Sequence, residues 1–143
     1  MTNLMDKFLK VQEGTYDIAL NEIKEGQKIS HWMWFIFPQI QGLGFSWMAM
    51  EYEIPDFKSA KEYLNNEILR DRLLEISEAV YNLDSNVDYI FGYPDDLKFK
   101  SCMTLFALTE PKYEIFRKNL DKFYNGEMCE HTMKLYIEEM QNN

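Results

Sequence analysis

The sequence predicts an all-α, multihelical single domain with a short buried central helix, and three observations carry that expectation. Helix-starting residues and glycine stops recur at short intervals. Between them, apolar residues recur at i, i+3 and i+4. No stretch alternates apolar and polar residues as a half-buried strand would. The 143 residues make one ordinary domain, taken as 1–143, large enough for a real core. Hydrophobic residues are 46% and aromatics 15%, a composition that excludes disorder.

The elements follow in order. Leu4, Phe8 and Val11 give a first helix one apolar stripe, and Gly14 suits its end. Thr15 can cap a second helix, Tyr16 to Glu25, with Ile18, Ala19 and Ile23 inward and Gly26 closing it. Lys24 and Lys28 place positive charge near its C-terminus, favourable to the helix dipole. From Trp32 to Phe37 every side chain is apolar. With no polar face, this run reads as buried on all sides. It is far too short for a bilayer, which needs about 20 apolar residues. Ser30 is expected to cap it. Pro38 should end it, because Pro lacks the N–H and pushes Phe37 out of the α region.

Gly42-Leu43-Gly44 permits a tight loop, and Ser46 can cap the next helix, which runs to Tyr52 with Trp47 and Met50 one turn apart. Asp56 caps a stripe of Phe57, Ala60 and Leu64 ending at Asn65. Asn66 caps a helix with Leu69, Leu73, Ile76 and Val80 inward. Ser85-Asn86-Val87-Asp88 is a near-capping box, starting a short helix that stops at Gly92. Asp95 or Asp96 caps a helix whose second half, from Ser101, carries no charge and should be buried. Thr109-Glu110-Pro111 breaks that helix and begins the next, since Pro suits a first turn. There Ile115, Phe116, Leu120 and Phe123 face inward, and Gly126 ends it. The last helix, from about Glu130 to Met140, uses Met133, Leu135, Tyr136 and Met140.

Charge and motifs narrow the function classes. A net charge of -9 repels phosphate backbones, so broad nucleic-acid binding is disfavoured, while a small phosphorylated ligand in a local basic pocket is compatible with it. No apolar run is long enough to span a membrane. The start, Met1-Thr2-Asn3-Leu4-Met5-Asp6, shows no basic region followed by an apolar one, so a cytoplasmic location is the default expectation. Cys102 and Cys129 fit neither a metal spacing nor a redox CxxC, and Cys102 reads as a reduced, buried thiol. HExxH, GxSxG, Walker and GxGxxG patterns are absent. No metal and no cofactor is implied, and self-association stays open.

Three polar sets adjoin the aromatic surface. His31 and Gln39 flank the apolar run. His31 is either a hydrogen-bonded structural histidine or an acid–base or ligand-binding one. Gln39 either ties a loop down or reads a ligand amide or base edge. Trp32, Trp34 and Phe35 are either core or a stacking platform for a planar ligand. Asp95 and Asp96 form a set with Lys98, which lies one turn after Asp95 on the same face. That is either a cap with a surface ion pair or an anion site, and Asp95 could instead hold a ribose hydroxyl or act as a base. Ser101 and Thr104 either bond backbone carbonyls or line a pocket. Arg70 and Arg72 read as solvated charge, with Arg72 the choice for a ligand anion.

The stretches His31-Trp32-Met33-Trp34-Phe35-Ile36-Phe37-Pro38-Gln39, Gly42-Leu43-Gly44-x-Ser46, Gly92-x-Pro94-Asp95-Asp96-Leu97-Lys98 and Ser101-x-Met103-Thr104-Leu105-Phe106 resemble the two signatures of an uncharacterised family catalogued as domain of unknown function 1810. Cys102 stands where that family is expected to carry Ser. The resemblance spans nearly the whole chain and implies a multihelical fold with a short buried central helix; it implies no activity. Lys98 with Met103, and Lys122-Phe123, resemble short segments of the all-helical NADAR proteins, YbiA-like N-glycosidases acting on nucleotide and ADP-ribose derivatives. That second resemblance points to a substrate class. The expected function is therefore a pocket for a small nucleotide-like ligand, ADP-ribose derived, lined by His31, Gln39, Asp95 and Lys98 against the aromatic run. In an N-glycosidase, Asp95 or His31 would activate water. A non-catalytic binder that sequesters a nucleotide signal fits the residues equally well, and a protein-interaction module with all aromatics in the core is the third class.

Overall fold

Residues 3–142 are described by the computed structural model; Met1, Thr2 and Asn143, part of the expected domain, lie outside them. The described residues form ten helices and no strand. A lone parallel bridge pairs Ile40 with Ile54. The helices are α1 (Leu4–Glu13), α2 (Tyr16–Lys24), α3 (Met33–Ile36), α4 (Trp47–Tyr52), α5 (Phe57–Asn65), α6 (Glu67–Tyr81), α7 (Val87–Ile90), α8 (Asp95–Thr109), α9 (Glu114–Tyr124) and α10 (Glu130–Gln141).

Short polar side chains start several of them as the sequence implies. Ser46, Asp56 and Asn66 each accept a backbone N–H three residues on, at 3.1, 2.8 and 3.1 Å. Elsewhere the caps differ from expectation. Thr15 makes no capping bond from its side chain. Asn86, not Ser85, caps α7, accepting from the Tyr89 N–H. Ser30 does not cap the central helix, because its hydroxyl is taken by the Glu22 carboxylate, a charged and therefore stronger acceptor. Asp95 and Asp96 sit inside the first turn of α8 behind Pro94 rather than at its cap. Pro111 lies in the turn between α8 and α9, and α9 starts only at Glu114. Ile18, Met133 and Met140 are exposed, so the inward faces of α2 and α10 are narrower than the stripes imply.

The core gathers around α8. Phe99, Cys102, Met103, Leu105 and Phe106 are fully buried, which confirms that the uncharged half of this helix is enclosed. α8 packs chiefly on α9, then on α5 and α10, and on α3 at the other side. The Phe37 ring meets Phe91 and Phe99 edge-on, and Phe106 packs between Tyr63 and Phe116. Trp32, Met33, Phe35, Ile36 and Phe37 make α3 and its flanks a buried wedge. A four-residue helix leaves most of its carbonyls without a partner inside the helix. Gln12, buried on α1, supplies one donor: its Nε2 donates to the Phe35 carbonyl at 2.8 Å. The wedge is not sealed on all sides, however. Trp34 is only half-buried, and that opening is where the cavity described next begins. Among the described residues no helix is long and apolar enough to cross a membrane.

Candidate functional site

The site begins with the loop between α2 and α3, which has no regular structure to hold it. One carboxylate does that work. Glu22, near the end of α2, accepts from the Ile29 N–H at 2.7 Å, the Ser30 N–H at 2.9 Å, the Ser30 hydroxyl at 2.6 Å and the Trp32 indole at 2.9 Å. Burial alone would raise its pKa, but these donors outweigh burial and bring it down to about 2. A backbone bond from the Lys28 N–H to the Ile90 carbonyl, 2.7 Å, ties the same loop to α7. Lys28 and His31 are thereby carried on a fixed strap.

Across from the strap stands the first turn of α8. Asp95 Oδ2 lies 2.8 Å from the Lys28 ammonium, and Oδ1 lies 3.1 Å from Lys98, one turn on. Burial opposes ionisation of Asp95, but hydrogen bonds from Lys28 and Lys98 prevail and hold its carboxyl below the ordinary range. Each lysine also faces an indole. Lys98 is 4.4 Å from the Trp34 ring centroid, and Lys28 is 5.3 Å from that of Trp32. The Lys28 side chain is 8% exposed, so its charge is largely withdrawn from water. Two ammonium groups against one carboxylate leave the cluster one positive charge, inside a chain of net charge -9.

A cavity of about 230 Å³ opens over this cluster. Lys28, His31, Asp95 and Lys98 form its polar lining, and Met33, Trp34, Phe35 and Met48 its apolar wall. Gly44 lets the wall close: a Cβ there would stand 2.6 Å from Cη2 of Trp34 and 2.9 Å from Cβ of Ala49. The arrangement can hold an anionic group between two lysines and a planar group against Trp34 and Phe35. It has no metal-ligating set, and none with three or more His, Cys, Asp or Glu occurs among the described residues.

Of the residues singled out from sequence, His31, Trp34, Phe35, Asp95 and Lys98 line this one cavity. Trp32, Gln39, Arg72, Ser101 and Thr104 do not. Trp32 is fully buried beneath the strap, bonded to Glu22. Gln39 is buried, its carbonyl accepting from the Ile54 N–H at 2.8 Å. Arg72 donates to Gln12 at 3.3 Å and stands 5.6 Å from the Tyr16 ring. Ser101 donates to the Leu97 carbonyl at 3.0 Å and contacts Cys129 Sγ at 3.2 Å. Thr104 donates to the Lys100 carbonyl at 2.8 Å and accepts the Cys129 N–H at 2.9 Å. Asp96 lies outside the cavity too; burial, and then the Asp88 carboxylate, raise its pKa. Met103 is a core residue beside Asn119, and Lys122 donates to the carbonyls of Tyr81 and Leu83.

Four contributors escaped the sequence reading: Lys28, Glu22, Met33 and Met48. Lys28 looked like a helix-end charge, Glu22 belongs to no motif, and no local pattern links either to Asp95. The role of Lys28 is set by a contact across more than sixty positions, and that of Glu22 by donors on an irregular loop a few positions on, both created only by the fold.

The profile of a family described as Protein of unknown function (DUF1810) matches residues 2–136. Among solved structures, the crystal structure of the conserved hypothetical protein Rv1873 from Mycobacterium tuberculosis is similar, with a TM-score of 0.90 and 38% sequence identity over 92% of this chain and 94% of that one. No curated protein matches the chain.

Proposed function

The chain belongs to the DUF1810 family, a family of unknown function, and from that premise we propose that it binds a small nucleotide-like anion, ADP-ribose derived, in the cavity between the α2–α3 strap and α8. The observation that carries this reading is the Lys28–Asp95–Lys98 cluster set against the Trp34 face in a partly enclosed space. A low local dielectric strengthens each polar contact there. The surplus positive charge selects an anion that the rest of this acidic surface repels. A phosphate oxygen takes one donor from each lysine, and the ligand's planar or sugar portion rests on Trp34 and Phe35.

Binding is favoured over catalysis by the state of Asp95. Both its oxygens accept from lysines and its carboxyl is held below the ordinary range, which makes it a poor proton acceptor at neutral pH. Its part is to orient the two ammonium groups. One observation favours a second reading: His31, an acid–base side chain, lines the cavity and is exposed. In that reading His31 takes the proton as water attacks an N-glycosidic bond, and the base departs with the bonding pair.

Titration calorimetry with AMP and with ADP-ribose tests the binding reading. Wild-type protein is expected to bind at least one, and Lys98→Ala to lose binding while its melting temperature barely moves. No heat from either nucleotide at millimolar concentration would sink the reading, and the protein-interaction class would take its place. Release of free base from a bound nucleoside derivative, lost in His31→Ala with binding retained, would select the hydrolytic version.

A further inference from the structure

The cavity is too small to enclose the ligand class proposed for it. Its volume of about 230 Å³ is below the roughly 300–1,000 Å³ of pockets that enclose a drug-sized ligand. A dinucleotide-like molecule therefore places only one part inside, and the rest lies on whatever surface adjoins the opening. That surface is unusual. Phe45 is 87% exposed and Trp47 is 72% exposed, the indole of the latter on the first residue of α4.

Both residues are chain neighbours of the cavity wall. Gly44, whose Cα abuts the Trp34 ring, directly precedes Phe45. Met48, which lines the cavity, directly follows Trp47. Neighbouring Cα atoms are about 3.8 Å apart, so the backbone that carries each aromatic lies next to the wall. Ser46 lies between them and fixes the turn by accepting the Ala49 N–H at 3.1 Å. The Gly42–Gly44 segment behind it is pinned in turn by His131, whose Nε2 lies 2.9 Å from the Gln41 carbonyl and packs on Gly42. The backbone between Gln41 and Trp47 is thus fixed beside the cavity, not a free tail. Nothing in the packing of the described residues requires the two rings there: the core is complete without them.

Building on the anion-site reading, we propose that Phe45 and Trp47 form an aromatic rim that stacks the nucleobase of the ligand, while its phosphate enters the cavity between Lys28 and Lys98. The site then has two halves of different chemistry. Lysines inside select the anion, and rings outside select a planar heterocycle at the other end of a sugar-phosphate. A sugar phosphate without a base uses only the inner half.

The test compares ribose 5-phosphate with AMP on wild type, Phe45→Ala, Trp47→Ala and Lys98→Ala. Both rim side chains are exposed, so their removal leaves folding intact, which thermal melts verify. Removal of either ring is expected to weaken AMP by about tenfold, the scale of one lost base–aromatic stack, and to leave ribose 5-phosphate unchanged. Lys98→Ala should weaken both. AMP binding that is indifferent to Phe45 and Trp47 would overturn the rim and leave the anion site standing. Equal losses of AMP and ribose 5-phosphate in Trp47→Ala would also overturn it, since the ring would then only support the wall. Failure of wild type to bind either compound would overturn both ideas together. Light scattering completes the test: a wild-type dimer that Trp47→Ala converts to monomer assigns the patch to a second copy of the chain and overturns the proposal.

Discussion

The two halves of α8 put polar residues to different uses. In the first turn, Asp95 and Lys98 are completed by Lys28, a residue from a distant loop. In the second half, Ser101 and Thr104 return their hydroxyls to carbonyls four residues back on the same helix, Leu97 and Lys100. A local partner lets a polar group enter a core without needing anything from the rest of the fold. A distant partner costs the ordering of two segments, and here the strap and α8 leave space between them, which is the cavity.

This contrast can be broken most severely in the apolar half. Phe106 is fully buried between Tyr63 and Phe116, so Phe106→Ala is expected to cost about 3–5 kcal/mol in urea melts. A loss under about 1 kcal/mol would mean the second half of α8 is not the core.

The two tryptophans sharpen the same line. Trp32 is enclosed and should lose about 3–5 kcal/mol on truncation to Ala. Trp34, half-buried on the cavity wall, should lose only about half as much, in proportion to the area it removes from water. The opposite ranking in denaturant titrations would move the wall to Trp32.

Glu22 comes next. Glu22→Gln leaves several donors of the strap without their charged acceptor and should cost about 2 kcal/mol at neutral pH. The folded pKa of Glu22 is depressed, so its contribution is fully present above the ordinary value of about 4.5 and is lost as pH falls toward about 2. The stability gap between wild type and Glu22→Gln should therefore shrink through that window. A gap that stays constant down to pH 2 would remove the carboxylate from the account.

The smallest effect belongs to Lys98. Its side chain is partly exposed and Asp95 keeps Lys28, so Lys98→Ala should shift stability by less than about 1 kcal/mol. A larger loss in the same melts would make the cluster structural rather than a ligand site.

Much of the fold was legible because its signals are local. Ser46, Asp56 and Asn66 cap helices where the sequence places them, and Pro38 ends the central helix with Phe37 at φ -119°. Ser30 and Thr15 misled for a physical reason: a serine or threonine before a helix caps it only if no stronger acceptor or other geometry claims it, and Glu22 claims Ser30. The aromatic run was read as uniformly enclosed because six apolar residues carry no period, so nothing in it distinguishes Trp34 from Trp32. Asp95 and Lys98 were visible as a pair one turn apart. Lys28 was not, since it lies on a loop far along the chain from its partner on α8, and without Lys28 the cluster has no surplus charge. Gln39 and Arg72 looked suited to a ligand by residue type, yet Gln39 is enclosed beside Ile54 and Arg72 is held by Gln12 and Tyr16.

The central claim is that the space between the strap and α8 receives an anion. A crystal of the protein soaked in AMP tests it most directly. The account expects phosphate density in the cavity, with an oxygen at hydrogen-bond distance from Nζ of Lys28 and from Nζ of Lys98. Density for AMP elsewhere on the molecule, with this cavity empty, would contradict it.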